Sequence, residues 1–423
     1  MNSYKAEIIV VGGGFTGVAA AAAAAREGRD VWLIEKSGFL GGAATNCLVN
    51  PFMNYMFKDP KSGEAKPVNS GIFKEILGDL EAMGGLHKNR KTFNEEYLKI
   101  VLDRLCKRYG VKVLLHTMVT DVYKEGDKIT GIEVYSTGQK MSFFADCFID
   151  CSGDGNLASL AGCDFILGRE TDNLCQPMTL CLRIANIKAD KETVSKLRPK
   201  MNELFNKLQA EGKIKNPREN ILFFEHMSEG VIHFNTTRII KKNPISPFDL
   251  SQAEAEAREQ GLELLNFLKE NIPGFEDATL IMTAAEIGVR ESRKIIGEYI
   301  LRAEDILSCK QFDDSIARGA YEIDIHNPGG TGTVIKRIPE DKYYTIPYRS
   351  LVAKNLANLL VAGRCISSTH EAQSAYRVIP IVCCIGEGAG TAAAVYIKNK
   401  NERMKDVDIK EVQSILDRNG ALY

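Results

Sequence analysis

The sequence lacks a surplus of charge of either sign. Its 423 residues include 54 lysines and arginines against 55 aspartates and glutamates, which gives a formal net charge of −1. A chain without a basic excess has no general electrostatic reason to bind nucleic acid or an anionic membrane surface. The composition therefore predicts no nucleic-acid partner and no membrane partner.

Several motifs for metals, phosphates and redox disulfides are also missing. The six histidines are scattered and none stands at ligand spacing from a cysteine, so no metal site is expected. No Gly-Lys-Ser or Gly-Lys-Thr follows a glycine loop, which excludes a Walker-type phosphate loop. None of the eleven cysteines belongs to a C-x-x-C pair, and this favours free buried thiols in a reducing, cytoplasmic setting.

Long apolar runs suited to a lipid bilayer are scarce as well. Residues 8–25 carry no charge, but their many glycines and alanines make a poor hydrocarbon-spanning stretch. No basic n-region or cleavage pattern accompanies them, so we expect no targeting segment. We expect no other stretch to be long enough and apolar enough to span a bilayer.

What the sequence does have is a glycine turn between two β-type runs, within residues 7–35. The apolar run 8–11 leads into three glycines that fit G-x-G-x-x-G: Gly12, Gly14 and Gly17. An alanine-rich stretch of high helix propensity follows, and the second run, 31–34, ends in Glu35. This order predicts a dinucleotide site, with a pyrophosphate at the helix N-terminus and Glu35 on a ribose hydroxyl. A purely structural turn is the alternative.

Three later glycine-containing stretches suggest further close approaches to a ligand. Residues 37–45 form a glycine loop that runs beside the ligand or is a surface turn. The run 147–151 leads into Ser152-Gly153-Asp154, where the carboxylate either binds a ligand hydroxyl or caps its own helix. Residues 385–396 predict the start of a helix whose N–H groups face the ligand, or one that packs closely on the sheet.

Two polar stretches are candidates for chemistry. In 285–299, Arg290 and Arg293 flank Glu291, so they either clamp a substrate carboxylate or form internal ion pairs with Glu286 and Glu291.

The second stretch, 321–330, has His326 at a predicted strand end, as a catalyst or a loop hydrogen-bonding group. A polar loop after residue 363 adds His370 and Arg377. Ser251 and Glu254 fit a capping box that predicts the start of an amphipathic helix.

The pattern predicts an α/β protein in two parts. A Rossmann-like domain with a parallel sheet and a β-meander comprises residues 1–168 and 345–423. An inserted α+β substrate or cap domain occupies residues 169–344. The meander begins in the β-type run 111–123.

Together these stretches resemble the glutathione-reductase-like FAD-dependent oxidoreductases, over nearly the whole chain. The stretches that support the resemblance are 11–17, 34–36, 38–45, 149–155, 288–293, 344–351, 361–394 and, within the last, 364–370.

The resemblance implies extended, non-covalent FAD. The pyrophosphate would meet Gly12, Gly14 and Gly17, the adenosine ribose Glu35, and the adenine the backbone of Val119. The remaining implied cofactor residues are Lys36, Gly41, Gly42, Ala43, Gly153, Asp154, Gly363, Arg364 and Gly388.

The implied activity is hydride exchange between flavin N5 and a small anionic substrate. Arg290, Arg293 and Arg377 would orient its carboxylates, while His326 or His370 moves a proton. A flavin monooxygenase is an alternative, because the turn at 152–155 echoes an Asp-Gly element of the hydroxylases, and an RNA-modifying flavoprotein is another. With one G-x-G-x-x-G and no C-x-x-C, we expect an external electron donor or acceptor. Substrate identity and oligomeric state stay open.

Overall fold

The computed structural model describes residues 2–423, which fold into an α/β protein. Its strands are β1 (Asn2–Val11), β2 (Val31–Ile34), β3 (Met56–Lys58), β4 (Ala65–Pro67), β5 (Lys112–Leu114), β6 (Met118–Glu125), β7 (Lys128–Ser136), β8 (Gln139–Asp150), β9 (Phe165–Leu167), β10 (Leu182–Ala185), β11 (Phe223–Glu225), β12 (Ile232–Phe234), β13 (Thr279–Thr283), β14 (Arg293–Ile295), β15 (Ser315–Gly319), β16 (Ile323–His326), β17 (Thr333–Lys336), β18 (Tyr344–Pro347) and β19 (Leu359–Val361). Its helices are α1 (Phe15–Arg26), α2 (Ile72–Ala82), α3 (Glu95–Tyr109), α4 (Asn156–Leu160), α5 (Lys191–Ala210), α6 (Pro247–Asn271), α7 (Ala303–Leu307), α8 (His370–Tyr376), α9 (Ile379–Lys398) and α10 (Ile409–Arg418).

The largest sheet has the order β5-β2-β1-β8-β7-β6, with β19 also paired to β8. β1 runs parallel to β2 and β8, whereas β6, β7 and β8 form an antiparallel meander. The long strand β8 therefore belongs to both patterns, and the predicted parallel sheet with a β-meander is confirmed. The predicted run 111–123 is divided between β5 and β6, because His116 has a φ of +53° that interrupts extended backbone.

Helices α1 and α9 pack directly against each other beneath this sheet. A Cβ on Gly386 would stand 2.1 Å from the carbonyl oxygen of Thr16, and a Cβ on Gly390 would stand 2.0 Å from the carbonyl oxygen of Ala20. Only glycine allows two helix backbones to come this close. The glycines of 385–396 therefore serve helix packing, and the predicted helix start there is wrong, since α9 begins at Ile379.

α9 also corrects the expectation about membrane spans. It is the one helix among residues 2–423 that is long and apolar enough to cross a bilayer. Its apolar window is entirely buried within the protein, as in the core helix of a globular domain. The apolar side chains of α9 therefore belong to the hydrophobic core.

A second sheet, of order β11-β12-β10-β13, packs with α5 and α6 around a separate apolar cluster. The predicted start of α6 at Ser251 is wrong. The Ser246 hydroxyl accepts from the Asp249 N–H at 3.3 Å and caps a helix that begins with Pro247. Proline suits the first helical turn because it has no N–H to satisfy.

The predicted division into domains at residues 168 and 344 stays a prediction. The core around α1 and α9 also contains Ile306, Ile316 and Tyr344, which lie in the predicted substrate domain. All eleven cysteines are free and buried, as predicted.

Candidate functional site

The glycine turn between β1 and α1 forms the first wall of the candidate site. Gly12 has a φ of +101°, and a Cβ there would stand 2.5 Å from the Cys151 carbonyl oxygen. A Cβ on Gly17 would stand 1.7 Å from the Gly12 oxygen. Within residues 2–423 no side chain caps α1 at Gly14, so the N–H groups of its first turn are left for a ligand. The turn is therefore suited to an anion at a helix N-terminus.

Glu35 lies beside this glycine turn, directly after the end of β2. Its buried carboxylate accepts hydrogen bonds from the backbone N–H groups of Gly13 and Ser37, the latter at 2.8 Å. Two backbone donors fix the direction of the carboxylate while each oxygen keeps further acceptor capacity. Thr117, Met118 and Val119, at the start of the meander, line the same end of the cavity.

The second glycine loop lies against the first. Gly41 has a φ of +114° and Gly42 a φ of +53°, and a Cβ on Gly42 would stand 2.8 Å from the Gly14 Cα. Gly41, Gly42 and Ala43 all line the cavity. Lys36, also in the lining, pairs with Glu286 at 3.0 Å. The close contact between the two loops explains why position 42 needs glycine, whereas a Cβ on Gly14 would stand 3.7 Å from the Gly42 Cα.

Asp154 and Arg364 join the loops that follow β8 and β19. Asp154 Oδ1 accepts from Arg364 Nη2 at 2.6 Å and from Ser292 Oγ at 2.6 Å. Burial acts to raise the pKa of Asp154, but the charge of Arg364 and the hydrogen bonds from Ser292 and Arg364 together lower that pKa. The helix-capping alternative for Asp154 is wrong, because the Ala158 N–H of α4 donates to Asp150 instead, at 2.9 Å.

These loops open into one elongated cavity of about 660 Å³. It extends from the Glu35 end, past the glycine turns, to side chains contributed by the second sheet and by the β16–β17 hairpin. The start of α9 also reaches it, through Val378 and Ile379.

The far end of the cavity carries an excess of positive charge, because three arginines lie there near one lining acid, Asp324. Within residues 2–423, none of Arg218, Arg290 and Arg377 forms an ion pair with a carboxylate, and Arg218 is buried near enough for its charge to act on Arg290. Arg290 donates to the Pro177 carbonyl and the Thr179 hydroxyl, both at 2.6 Å. Burial and the charges of Arg377 and Arg218 lower the pKa of Arg290 to about 9, so it stays cationic near neutral pH. A cluster of this kind is suited to binding an anion from outside the chain.

Three polar side chains of the stretch 321–326 face these arginines. The Tyr321 hydroxyl donates to Asp324 Oδ2 at 2.9 Å, and His326 Nε2 stands 3.7 Å from the same oxygen. Burial, followed by the charges of Arg290 and Arg377, lowers the pKa of His326 well below its ordinary value. His326 is therefore neutral near pH 7 and can accept a proton only if its surroundings take up the charge.

A family model described as FAD dependent oxidoreductase matches residues 7–416 of the chain. The chain belongs to this FAD-dependent oxidoreductase family. Its cofactor is FAD and its chemistry is oxidoreduction. The match does not extend to the narrower glutathione-reductase-like group that the motifs resemble, and no curated protein matches the chain.

Solved structures with a similar fold act differently from one another. A geranylgeranyl bacteriochlorophyll reductase-like protein from Thermoplasma acidophilum has 14% identity and a TM-score of 0.48, over 99% of this chain and 84% of its own. The myxobacterial chondrochloren halogenase CndH has 15% identity and a TM-score of 0.44, over 98% and 79%. The p-nitrophenol 4-monooxygenase PnpA from Pseudomonas putida has 12% identity and a TM-score of 0.43, over 99% and 84%. Likeness this distant says nothing about the reaction of the present oxidoreductase.

The residues of the cavity fit the FAD of this oxidoreductase family. At Gly12 and Gly42 a side chain would collide with neighbouring backbone, so glycine keeps the backbone there accessible to a ligand. The uncapped N-terminus of α1 suits a pyrophosphate. The buried Nε of Arg364 has no partner within the described chain and is left to donate to a ligand. Cys47 also lines the cavity, where burial raises the pKa of its thiol to about 12.

Some predicted site residues lie elsewhere in the oxidoreductase. Gly17 packs on Gly12 instead of lining the cavity, and Gly388 lies in mid-helix, where a Cβ would stand 2.8 Å from Ile316 Cβ. Arg293 turns away and donates to the Asp154 carbonyl at 3.2 Å. His370 is buried outside the cavity, with Nδ1 2.7 Å from Glu291 Oε2.

The alternative of internal ion pairs between the two arginines and nearby acids is wrong. Glu291 pairs with Lys294 at 2.6 Å and with His370, while Glu286 pairs with Lys36. Arg290 is thereby left free to face the cavity.

Sequence reasoning missed three residues at or near the arginine-containing end of the cavity: Arg218, Tyr321 and Asp324. Asp324 had a usable signal, because it alternates with His326 along β16 and so shares a face of the strand. Arg218 lies in a loop with no periodic pattern, and only the fold brings it to Arg290.

Proposed function

We propose that this oxidoreductase exchanges a hydride between FAD and a small organic anion bound beside Arg290 and Arg377. The observation that supports the proposal is a cationic cluster without an acid partner within residues 2–423, at one end of the cavity that the FAD-binding loops line. A buried guanidinium that lacks a carboxylate binds substrate anions with paired, charge-assisted hydrogen bonds.

The side chains divide the work between binding and proton transfer. Bound FAD supplies the chemistry of accepting or giving a hydride with its electron pair. Arg290 and Arg377 hold the substrate anion, and His326 Nε2 takes or gives the proton that accompanies the hydride. Thr179 fixes the guanidinium of Arg290, which limits the number of substrate poses.

A second candidate is a flavin-dependent monooxygenase. Apolar side chains also line the cavity and would enclose an aromatic ring: Met53, Leu222, Phe224 and Leu250. Such a wall would also exclude water from a reactive oxygen adduct. The RNA-modifying alternative has no support from the near-zero net charge.

We also propose an external electron partner and a cytoplasmic location. A single G-x-G-x-x-G turn and the absence of C-x-x-C leave the second half-reaction to another molecule. Eleven free, buried cysteines suit a reducing compartment.

The test is an anaerobic panel of small acids added to the FAD holoenzyme. Lactate, malate, succinate and glutamate are compared with their uncharged amides, and loss of the flavin absorption band is followed. Reduction by an acid but not by its amide supports the proposal. If no acid reduces the flavin, and aromatic compounds are hydroxylated with O₂ and a chemical reductant, the monooxygenase candidate replaces it.

A further inference from the structure

His326 and Thr333 face each other across the β16–β17 hairpin. They are directly opposite in its register, and His326 Nδ1 lies 3.1 Å from Thr333 Oγ1. The Thr333 hydroxyl in turn donates to Glu219 Oε1 at 2.9 Å. Because threonine has one hydroxyl hydrogen and gives it to Glu219, its oxygen accepts from His326 Nδ1–H. His326 is thereby fixed as the Nδ1–H tautomer, with the Nε2 lone pair left for the cavity.

The chain of contacts leads from the cavity to the surface. His326 lines the cavity, and the side chain of Glu219 is 26% exposed. Arg238 Nη1 holds Glu219 Oε2 at 3.0 Å, and its other nitrogens bind carbonyls of the hairpin loop, including Gly332 at 2.8 Å. Arg238 thus fixes both ends of the connection, Glu219 and the hairpin.

We propose that His326, Thr333 and Glu219 form a proton relay between the substrate cavity and solvent. The relay rests on the proposed function, because the proton it carries is the one that leaves the substrate with the hydride. Nothing in the sequence pattern singled out Thr333 or Glu219. Both act through His326 and touch neither substrate nor FAD.

The steps balance in atoms and electrons. For a hydroxy acid such as lactate or malate, the substrate O–H bond breaks as the Nε2–H bond forms, and the Nδ1–H bond breaks as a Thr333 O–H bond forms. The original Thr333 O–H bond breaks as a Glu219 O–H bond forms, and Glu219 then releases the proton to water. The hydride and its electron pair leave the substrate for oxidised FAD, so the substrate loses two electrons and one further proton. The reverse sequence delivers a proton when the substrate is reduced.

The surroundings of His326 explain why a relay suits this site. The charged groups that face its ring are four arginines and one acid: Arg218, Arg238, Arg290, Arg377 and Asp324. A ring among so many cations cannot hold a second proton for long. Release from Nδ1 as Nε2 is protonated keeps the imidazole neutral throughout. At the other end, burial acts to raise the pKa of Glu219, but hydrogen bonding and the charge of Arg238 lower it, so the carboxylate is ionised and able to accept.

The first arm of the test needs no substrate. The holoenzyme is prepared with ¹⁵N-labelled histidine, and the ring nitrogen that carries the proton is assigned by NMR for His326. We expect Nδ1–H in the wild type and in Thr333→Ser, which keeps the hydroxyl. Thr333→Val removes the acceptor, and we expect the proton to move to Nε2, beside Asp324. Nε2–H in the wild type would overturn the relay.

The second arm uses the acid that reduces the flavin in the anaerobic panel. We expect Thr333→Val to slow flavin reduction at least tenfold, to leave the dissociation constant of succinate within twofold and to alter the solvent isotope effect. Thr333→Ser should stay close to the wild type. Glu219→Gln, which accepts a hydrogen bond but no proton, should be as slow as Thr333→Val and serves if the valine variant fails to fold.

The two proposals fail in different ways. Flavin reduction by the same acid at equal rates in the wild type, Thr333→Val and Glu219→Gln would overturn the relay and leave the proposed function standing. Failure of every acid to reduce the flavin would overturn the proposed function. The NMR measurement would then decide whether His326 Nδ1–H donates to the Thr333 hydroxyl oxygen, as the relay requires.

Discussion

Asp154 and Arg364 form an ion pair with 2.6 Å between Oδ1 and Nη2, and it joins the loops after two parallel strands of the main sheet. The carboxyl ends of such strands are where α/β proteins bind their ligands. The pair therefore positions one guanidinium at the FAD cavity.

Loss of this guanidinium should weaken FAD binding. We expect Arg364→Ala to raise the FAD dissociation constant at least tenfold, since it removes a charged donor and leaves Asp154 buried without its cation. Fluorescence titration of the apoprotein with FAD measures the effect. Arg104→Ala, on an exposed helix surface, is the control and should bind FAD normally. Normal FAD affinity in Arg364→Ala would remove this residue from the cofactor site.

Gly12→Ala should abolish FAD binding and destabilise the fold. The new methyl would need a φ of +101° and would meet the Cys151 carbonyl oxygen at 2.5 Å. Gly78→Ala is the matched control, because it lies on the exposed face of α2 with nothing within 4 Å. It should be neutral or stabilising by up to ~1 kcal/mol. Thermal unfolding with and without FAD is the measurement: FAD should raise the melting temperature of Gly78→Ala but not that of Gly12→Ala.

Arg290→Ala should keep FAD but lose activity towards acids. Its guanidinium faces the end of the cavity away from the glycine turns, so the flavin spectrum should be unchanged. We expect a loss in kcat/KM of about 100-fold or more, of the order seen when one charged hydrogen-bonding partner of a buried anion is removed. Arg337→Ala, with 82% of its side chain exposed, is the control. Loss of FAD from Arg290→Ala would instead assign Arg290 to the cofactor.

Dicarboxylates should bind more tightly than monocarboxylates of similar length. Arg218, Arg290 and Arg377 have only Asp324 as a neighbouring acid that is not already paired with another arginine or lysine. A second carboxylate therefore meets a cation in a site of low dielectric. Succinate and butanoate, titrated against the flavin spectrum of the holoenzyme, should differ at least tenfold in dissociation constant. Equal constants would mean that the cluster serves one anionic group only.

Glu291 should make folding stability depend on acid pH. Burial acts to raise its pKa, but His370 and Lys294 outweigh burial and hold the pKa below the ordinary 4.5. The carboxylate therefore contributes stability above about pH 4.5, and the contribution is lost as pH falls through the lower folded-state pKa.

Glu291→Gln leaves Lys294 buried without its counter-ion and should lower the free energy of unfolding by about 3–5 kcal/mol. Its acid-side dependence should be flatter than in the wild type. Urea unfolding at neutral and acid pH measures both effects, and Glu96→Gln, with 65% of its side chain exposed, should change stability by less than ~0.5 kcal/mol. If the free energy of unfolding of Glu291→Gln depended on acid pH as in the wild type, Glu291 would not be the source of that dependence.

Local patterns were enough to predict the nucleotide end of the molecule. Strand, glycine turn, helix, strand and Glu35 are contiguous in sequence, and their spacing alone determines how they meet. The β-meander followed from alternation and turn signals in the same way.

The substrate end depends on contacts between distant segments. Arg290 is free to face the cavity only because Glu291 is taken by Lys294 and His370, a pairing that no local pattern reveals. Gly388 was misassigned because close packing of a helix against a strand, here at Ile316 of β15, and close approach to a ligand leave the same glycine signature. Only the start of α9 at Ile379 distinguishes them.

The most direct test of the account is anaerobic flavin reduction by one acid and its uncharged amide, in the wild type and in Arg290→Ala. If hydride exchange depends on an anion held by Arg290, the flavin band is lost rapidly with the acid in the wild type alone, while both proteins retain FAD. Reduction by the amide as fast as by the acid, or reduction by the acid at equal rates in the two proteins, would contradict it.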